Sequence, residues 1–87
     1  MPYVLIKHRV KEFSTWKTAF DDHKQTRKAA TLADLYTLRD VEDSNHVVLL
    51  FKAEDMTKAR AFAASAELKD AMKAAGVKGK PDIYFLE

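Results

Sequence analysis

The chain has 87 residues, no cysteine, and a net charge of +2 from 15 basic and 13 acidic side chains. That length predicts one domain over residues 1–87, and the lack of cysteine excludes a disulfide, a thiolate metal ligand and a cysteine nucleophile. No apolar run approaches the roughly 20 residues of a membrane span, and the interspersed charges lack the basic stripe with exposed aromatics that nucleic-acid binding uses.

Residues 3–10 read as a first strand. Val4, Ile6, His8 and Val10 point one way, and Tyr3, Leu5, Lys7 and Arg9 the other. Phe13, Trp16, Phe20, His23 and Arg27 then recur at spacings of three and four. That stripe predicts an amphipathic helix over residues 14–29, with Ser14 as its N-cap. A second strand covers residues 32–41. The polar segment Glu42-Asp43-Ser44-Asn45 turns the chain into a third strand over residues 46–53.

Asp55 caps a second helical region that carries Met56, Ala59, Phe62 and Ala63 on one side. Ser65 is a fresh cap with Glu67 behind it, so the region divides into two short helices near residues 64–65. Leu68, Met72 and Ala75 continue the apolar stripe, and Gly76 terminates it. Residues 77–81 read as a loop and residues 83–86 as the last strand.

The order β-α-β-β-α-β predicts an α+β, ferredoxin-like fold: a four-stranded antiparallel sheet of order 4-1-3-2 with both helical regions on one face. The run Val47-Val48-Leu49-Leu50-Phe51 does not fit a sheet with one wet face, because such a strand alternates apolar and polar residues. A second copy of the chain is the simplest cover for the other face, which predicts a homodimer. Burial points the same way, since a chain of this size buries only about 60–65% of its unfolded surface.

Several segments resemble a known family. They are residues 13–23 (FSTWKTAFDDH), the polar turn into Asn45-His46-Val47-Val48-Leu49-Leu50-Phe51, residues 64–72 (ASAELKDAM) and the closing Pro81-Asp82-Ile83-Tyr84-Phe85-Leu86. Together they are similar to the dimeric α+β barrel superfamily, among its antibiotic-biosynthesis-monooxygenase-like and "cyclase" members. The resemblance implies a dimer whose two sheets close into a barrel. It implies a small-molecule-binding protein of the cofactor-free monooxygenase, cyclase or isomerase kind, acting on an aromatic or polyketide-like compound in an apolar cavity. Haem-degrading members of the superfamily use an Asn on the first strand and a His on the second helical region. Here Asn45 lies in the hairpin and no His follows Phe51, so that branch has no residue-level support.

Two histidines are the candidate catalytic groups. His8 shares its strand face with Val4, Ile6 and Val10, and an imidazole titrates near neutrality. It is either an acid–base group or a packed core histidine. His23 continues the stripe of Trp16 and Phe20, so it either enters a cleft or closes the helix–sheet interface. Trp16, Phe20 and Tyr36 are candidate substrate walls, and equally candidate core residues. Arg27 extends the same stripe, where it either pairs with an anionic substrate or serves the last turn of the helix. His46 reads as a hairpin-edge residue.

No metal motif stands in the spacing of the three His, and two glycines cannot build a phosphate loop. No metal and no cofactor is therefore expected. The N-terminal segment lacks a basic stretch, a long apolar core and a small-residue cleavage site, which predicts cytoplasmic residence. The alternative function is a non-catalytic dimeric module that binds a metabolite or fills its cavity with its own side chains.

Overall fold

A computed structural model describes residues 2–87. Its elements, in chain order, are β1 (Tyr3–Val10), α1 (Phe13–Asp22), α2 (Lys24–Ala29), β2 (Leu32–Arg39), β3 (His46–Ala53), α3 (Met56–Ala63), α4 (Ala66–Ala74) and β4 (Val77–Leu86). The strands form one antiparallel sheet of order β2-β3-β1-β4. The α+β, ferredoxin-like arrangement and the strand order are those expected, with each helical region split in two.

Alternation along the central strands decides which side chains meet the helices. Val4, Ile6, His8 and Val10 of β1 are buried, as are Val47, Leu49, Phe51 and Ala53 of β3. Trp16, Leu32 and Ala59 complete this core from α1, β2 and α3. The opposite face carries a row that crosses all four strands: Tyr36 pairs with Leu50, Leu50 with Leu5, and Leu5 with Tyr84. Beside it lie Leu38 and Leu86, and Tyr36, Leu38, Tyr84 and Leu86 are all exposed. The strand with two apolar faces is thus a physical fact of the fold: Val47, Leu49 and Phe51 look into the core, and Val48 and Leu50 look out.

Four local expectations change. The first helix breaks at His23, where φ is −90° and ψ is 8°. No proline or glycine marks the break. The Arg27 guanidinium reaches back and donates from Nη1 to the Phe20 carbonyl at 2.6 Å, capping the end of α1. Ser14 does not cap α1. Glu12 holds the N-cap position, and the Phe13 N–H donates instead to Asn45 Oδ1 at 3.0 Å, a partner 32 residues away in the β2–β3 hairpin.

The second strand ends at Arg39, where the Asp40 N–H donates to the His46 carbonyl and closes the hairpin. The last strand starts at Val77, so residues 77–81 are strand and not loop. Its register against β1 shifts between Lys7 and Arg9, with Gly79 at φ +65° in the irregular stretch. Pro81 is tolerated because β4 is an edge strand.

Both caps expected in the second helical region are made. The Lys58 N–H donates to Asp55 Oδ1 at 3.2 Å, and the Leu68 N–H to Ser65 Oγ at 3.1 Å. Ala64 is the C-cap of α3, so the helices break where the cap residues put the break.

Candidate functional site

Between the sheet and the two helical pairs lies a cavity of about 340 Å³. Ile6, His8 and Phe51 form its floor on the sheet. Trp16, Phe20 and His23 form the wall from α1 and the residue after it. Phe62, Leu68 and Met72 face them from α3 and α4. α4 contributes no fully buried residue. Its Leu68 and Met72 are half-buried where they border the cavity, as a helix roofing a hollow would be.

His8 and His23 both line this cavity, so the face of β1 that carries His8 looks toward the helices. His8 is 5% exposed, and its Nδ1 is buried with no hydrogen-bond partner among the described residues. Its ring meets Trp16 edge-on, with centroids 5.4 Å apart. Burial pushes its pKa below the ordinary 6.5; the residue's own main chain pulls back in part, and the charge of His46 adds a small downward push. His8 is therefore a neutral imidazole at pH 7, able to accept a proton or a hydrogen bond. His23 is half-buried at the rim, where the chain passes from α1 to α2.

Trp16 is buried, and Phe20 stacks on it at 4.8 Å with 25° between the planes. The Arg27 guanidinium lies 3.7 Å from the Phe20 centroid. Phe20 is thus engaged by Trp16 and by Arg27, and is a wall of the cavity more than a free stacking platform. Phe13 extends the cluster, with its ring 5.7 Å from Trp16.

Two expected substrate contacts are redirected by the structure. Arg27 lines the cavity but is already engaged. Its Nε donates to Asp34 Oδ1 and its Nη2 to Asp34 Oδ2, each at 3.0 Å, while Nη1 holds the Phe20 carbonyl. This bidentate fork makes Arg27 a clip between α1, α2 and β2, with its charge neutralised by Asp34.

Tyr36 does not line the cavity. It is 60% exposed on the opposite face of the sheet. Simple alternation from Asp34, which faces the helices opposite Phe51, would turn Tyr36 inward. The register of β2 on β3 shifts between Asp34 and Tyr36, however, and Tyr36 pairs with the outward-facing Leu50. Asp34 was the residue that reading of the sequence missed; a carboxylate on a strand seven residues after the arginine it binds carries no local signal.

His46 stays at the hairpin, with Nδ1 3.6 Å from Asp40 Oδ2. Among the described residues no group of three His, Asp or Glu side chains is placed to hold a metal ion. No helix among them is long and apolar enough to cross a membrane.

No family model matches the chain, and no curated protein matches it. Solved structures do. A "putative antibiotic biosynthesis monooxygenase" from Bordetella bronchiseptica superposes with a TM-score of 0.80 at 12% identity, over 99% of this chain and 94% of that one. A protein of the same description from Caulobacter crescentus gives 0.71 at 19% identity, over 98% and 86%. One from Nitrosomonas europaea gives 0.69 at 17% identity, over 100% and 97%. At these identities the likeness is one of backbone architecture. Over its whole length the chain carries the ferredoxin-like α+β fold of the antibiotic-biosynthesis-monooxygenase-like proteins.

Proposed function

We propose that the protein binds a small aromatic or polyketide-like compound in the cavity between α1, α4 and the sheet, as a cofactor-free enzyme of the monooxygenase, cyclase or isomerase kind. The observation that carries this reading is that the cavity stays open beside Trp16 and Phe20 and is reached by both His8 and His23. A core filled by its own aromatics would leave no such space. His8 is the base: buried, neutral, and with an unpartnered nitrogen. His23, at the rim, orients the ligand or relays a proton. Trp16 and Phe20 form the apolar wall.

In a cofactor-free oxygenation, proton removal from the substrate's hydroxyl generates an electron-rich anion that itself reduces oxygen. One oxygen atom bonds to a ring carbon and the other leaves as water with the hydroxyl hydrogen and that carbon's hydrogen, so the substrate supplies all four electrons and ends as a quinone. The protein then needs to supply a base and a dry cavity.

The proposal includes a homodimer in which a second copy covers the row Tyr36, Leu50, Leu5 and Tyr84, closing two sheets into a barrel. The largest apolar patch on a soluble monomer is usually about 300–600 Å², and a contiguous apolar row across four strands is the kind of surface a second copy covers. A second reading, a dimeric module that binds a metabolite without turning it over, is favoured by one observation. Among the described residues the one guanidinium at the cavity is neutralised by Asp34, and no other Lys or Arg lines it to stabilise an anionic intermediate.

Oxygen uptake and product analysis with a panel of polycyclic phenols test the two readings. Turnover that is lost in His8→Ala and His23→Ala while both variants stay folded supports the enzyme. Saturable binding without turnover supports the module, and neither binding nor turnover across the panel defeats both.

A further inference from the structure

The positive charge of Arg27 at the cavity is neutralised before any ligand arrives. Among the described residues, Arg27 is the only Lys or Arg side chain that lines it. Asp34 takes Nε and Nη2, the Phe20 carbonyl takes Nη1, and the guanidinium carbon lies over the Phe20 ring at 3.7 Å from its centroid. The Nε–Nη2 edge that would grip a ligand carboxylate in bidentate fashion is taken by Asp34, and Nη1 already gives one N–H to the Phe20 carbonyl. The one carboxylate on the lining, Asp22, is exposed and adds a negative charge at the rim. The other walls are hydrocarbon and aromatic, save the two imidazoles. Of these, His8 is buried with Nδ1 unpartnered.

A carboxylate moved into such a space loses its water and gains no counter-ion, which is costly. A neutral hydroxyl loses far less and finds a partner in the imidazole. We infer that the cavity selects uncharged ligands, planar aromatics bearing a neutral hydroxyl such as phenols or enols, and rejects the corresponding carboxylates, because Asp34 has already consumed the charge of Arg27. This rests on the reading that the cavity binds a small molecule, and adds what that molecule's charge must be.

Trp16 is the sole tryptophan, so its indole N–H gives one resolved signal at the wall of the cavity. The test is a nitrogen–proton NMR titration of the full-length protein at neutral pH with 1-naphthol, 1-naphthoate and naphthalene. The expected result is a saturable Trp16 shift with 1-naphthol, and affinities at least about tenfold weaker for 1-naphthoate and severalfold weaker for naphthalene. Asp34→Asn, which leaves the Arg27 charge unbalanced, should narrow or reverse the preference by raising naphthoate affinity. Should that variant fail to fold, the three-ligand comparison on the unaltered protein still decides.

If 1-naphthoate moves Trp16 as readily as 1-naphthol does, the charge selection is wrong while the cavity reading stands. If none of the three moves it at millimolar concentration, the cavity does not take planar ligands and both fall.

Discussion

His8 is a buried imidazole that the fold does not need. An unpartnered nitrogen in the core costs stability, and an apolar side chain of similar size would not incur that cost. His8→Leu should therefore leave stability unchanged or raise it by about 1 kcal/mol in urea unfolding. The pH dependence gives a second readout. Burial lowers the folded pKa beneath the ordinary 6.5, so below that value the unfolded chain binds more protons than the folded one. Stability is full above about pH 6.5 and falls as pH drops toward the folded pKa, at up to about 1.4 kcal/mol per pH unit. His8→Leu should flatten that slope between pH 7 and 5; an unchanged slope would assign it to other groups.

At this scale the sequence was partly legible. Periodicity put His23, Trp16, Phe20 and Arg27 on one stripe, and all four do line one cavity. It could not choose the face of His8, because both faces of the sheet are expected to be covered, one by the helices and the other by a second copy. It misplaced Tyr36 because the register shift after Asp34 is invisible to alternation.

The two caps expected in the second helical region are in place, whereas the one expected at Ser14 is not. Asp55 and Ser65 start α3 and α4, and Ala64 separates them. The elements misread are those set by distant contacts. α1 ends because Arg27 takes the Phe20 carbonyl, and it begins where the Phe13 N–H donates to Asn45 Oδ1. β4 starts early because β1 offers Arg9 and Val10 as partners for Lys78 and Val77, which outweighs the loop character of a Gly-Lys-Pro sequence.

Gly76 joins α4 to β4 at φ +91°. A Cβ there would meet Lys11 Cβ at 3.7 Å, an ordinary contact, so space is not the issue. The left-handed backbone is, and Gly76→Ala should destabilise the protein by about 1–2 kcal/mol by thermal or urea unfolding. A neutral result would mean that the α4–β4 corner relaxes into another conformation.

For the whole molecule, the sheet has two apolar faces and the helices cover one. The row Tyr36, Leu50, Leu5 and Tyr84 on the open face is the surface assigned to a second copy. Light scattering at micromolar concentration should give twice the chain mass. Leu50→Asp, which sets a carboxylate at the centre of that row, should give a monomer with a lower melting temperature; a dimer unaffected by the change would place the interface elsewhere.

The two faces also offer two places for a ligand, the cavity under the helices and the space between the sheets of a dimer. The most direct discrimination is a crystal structure of the protein grown with 1-naphthol. The account predicts a planar density between Trp16 and α4, with its hydroxyl at hydrogen-bond distance from the His8 imidazole. Density lying instead against Tyr36, Leu50 and Tyr84, with the helix-side cavity empty, would contradict it.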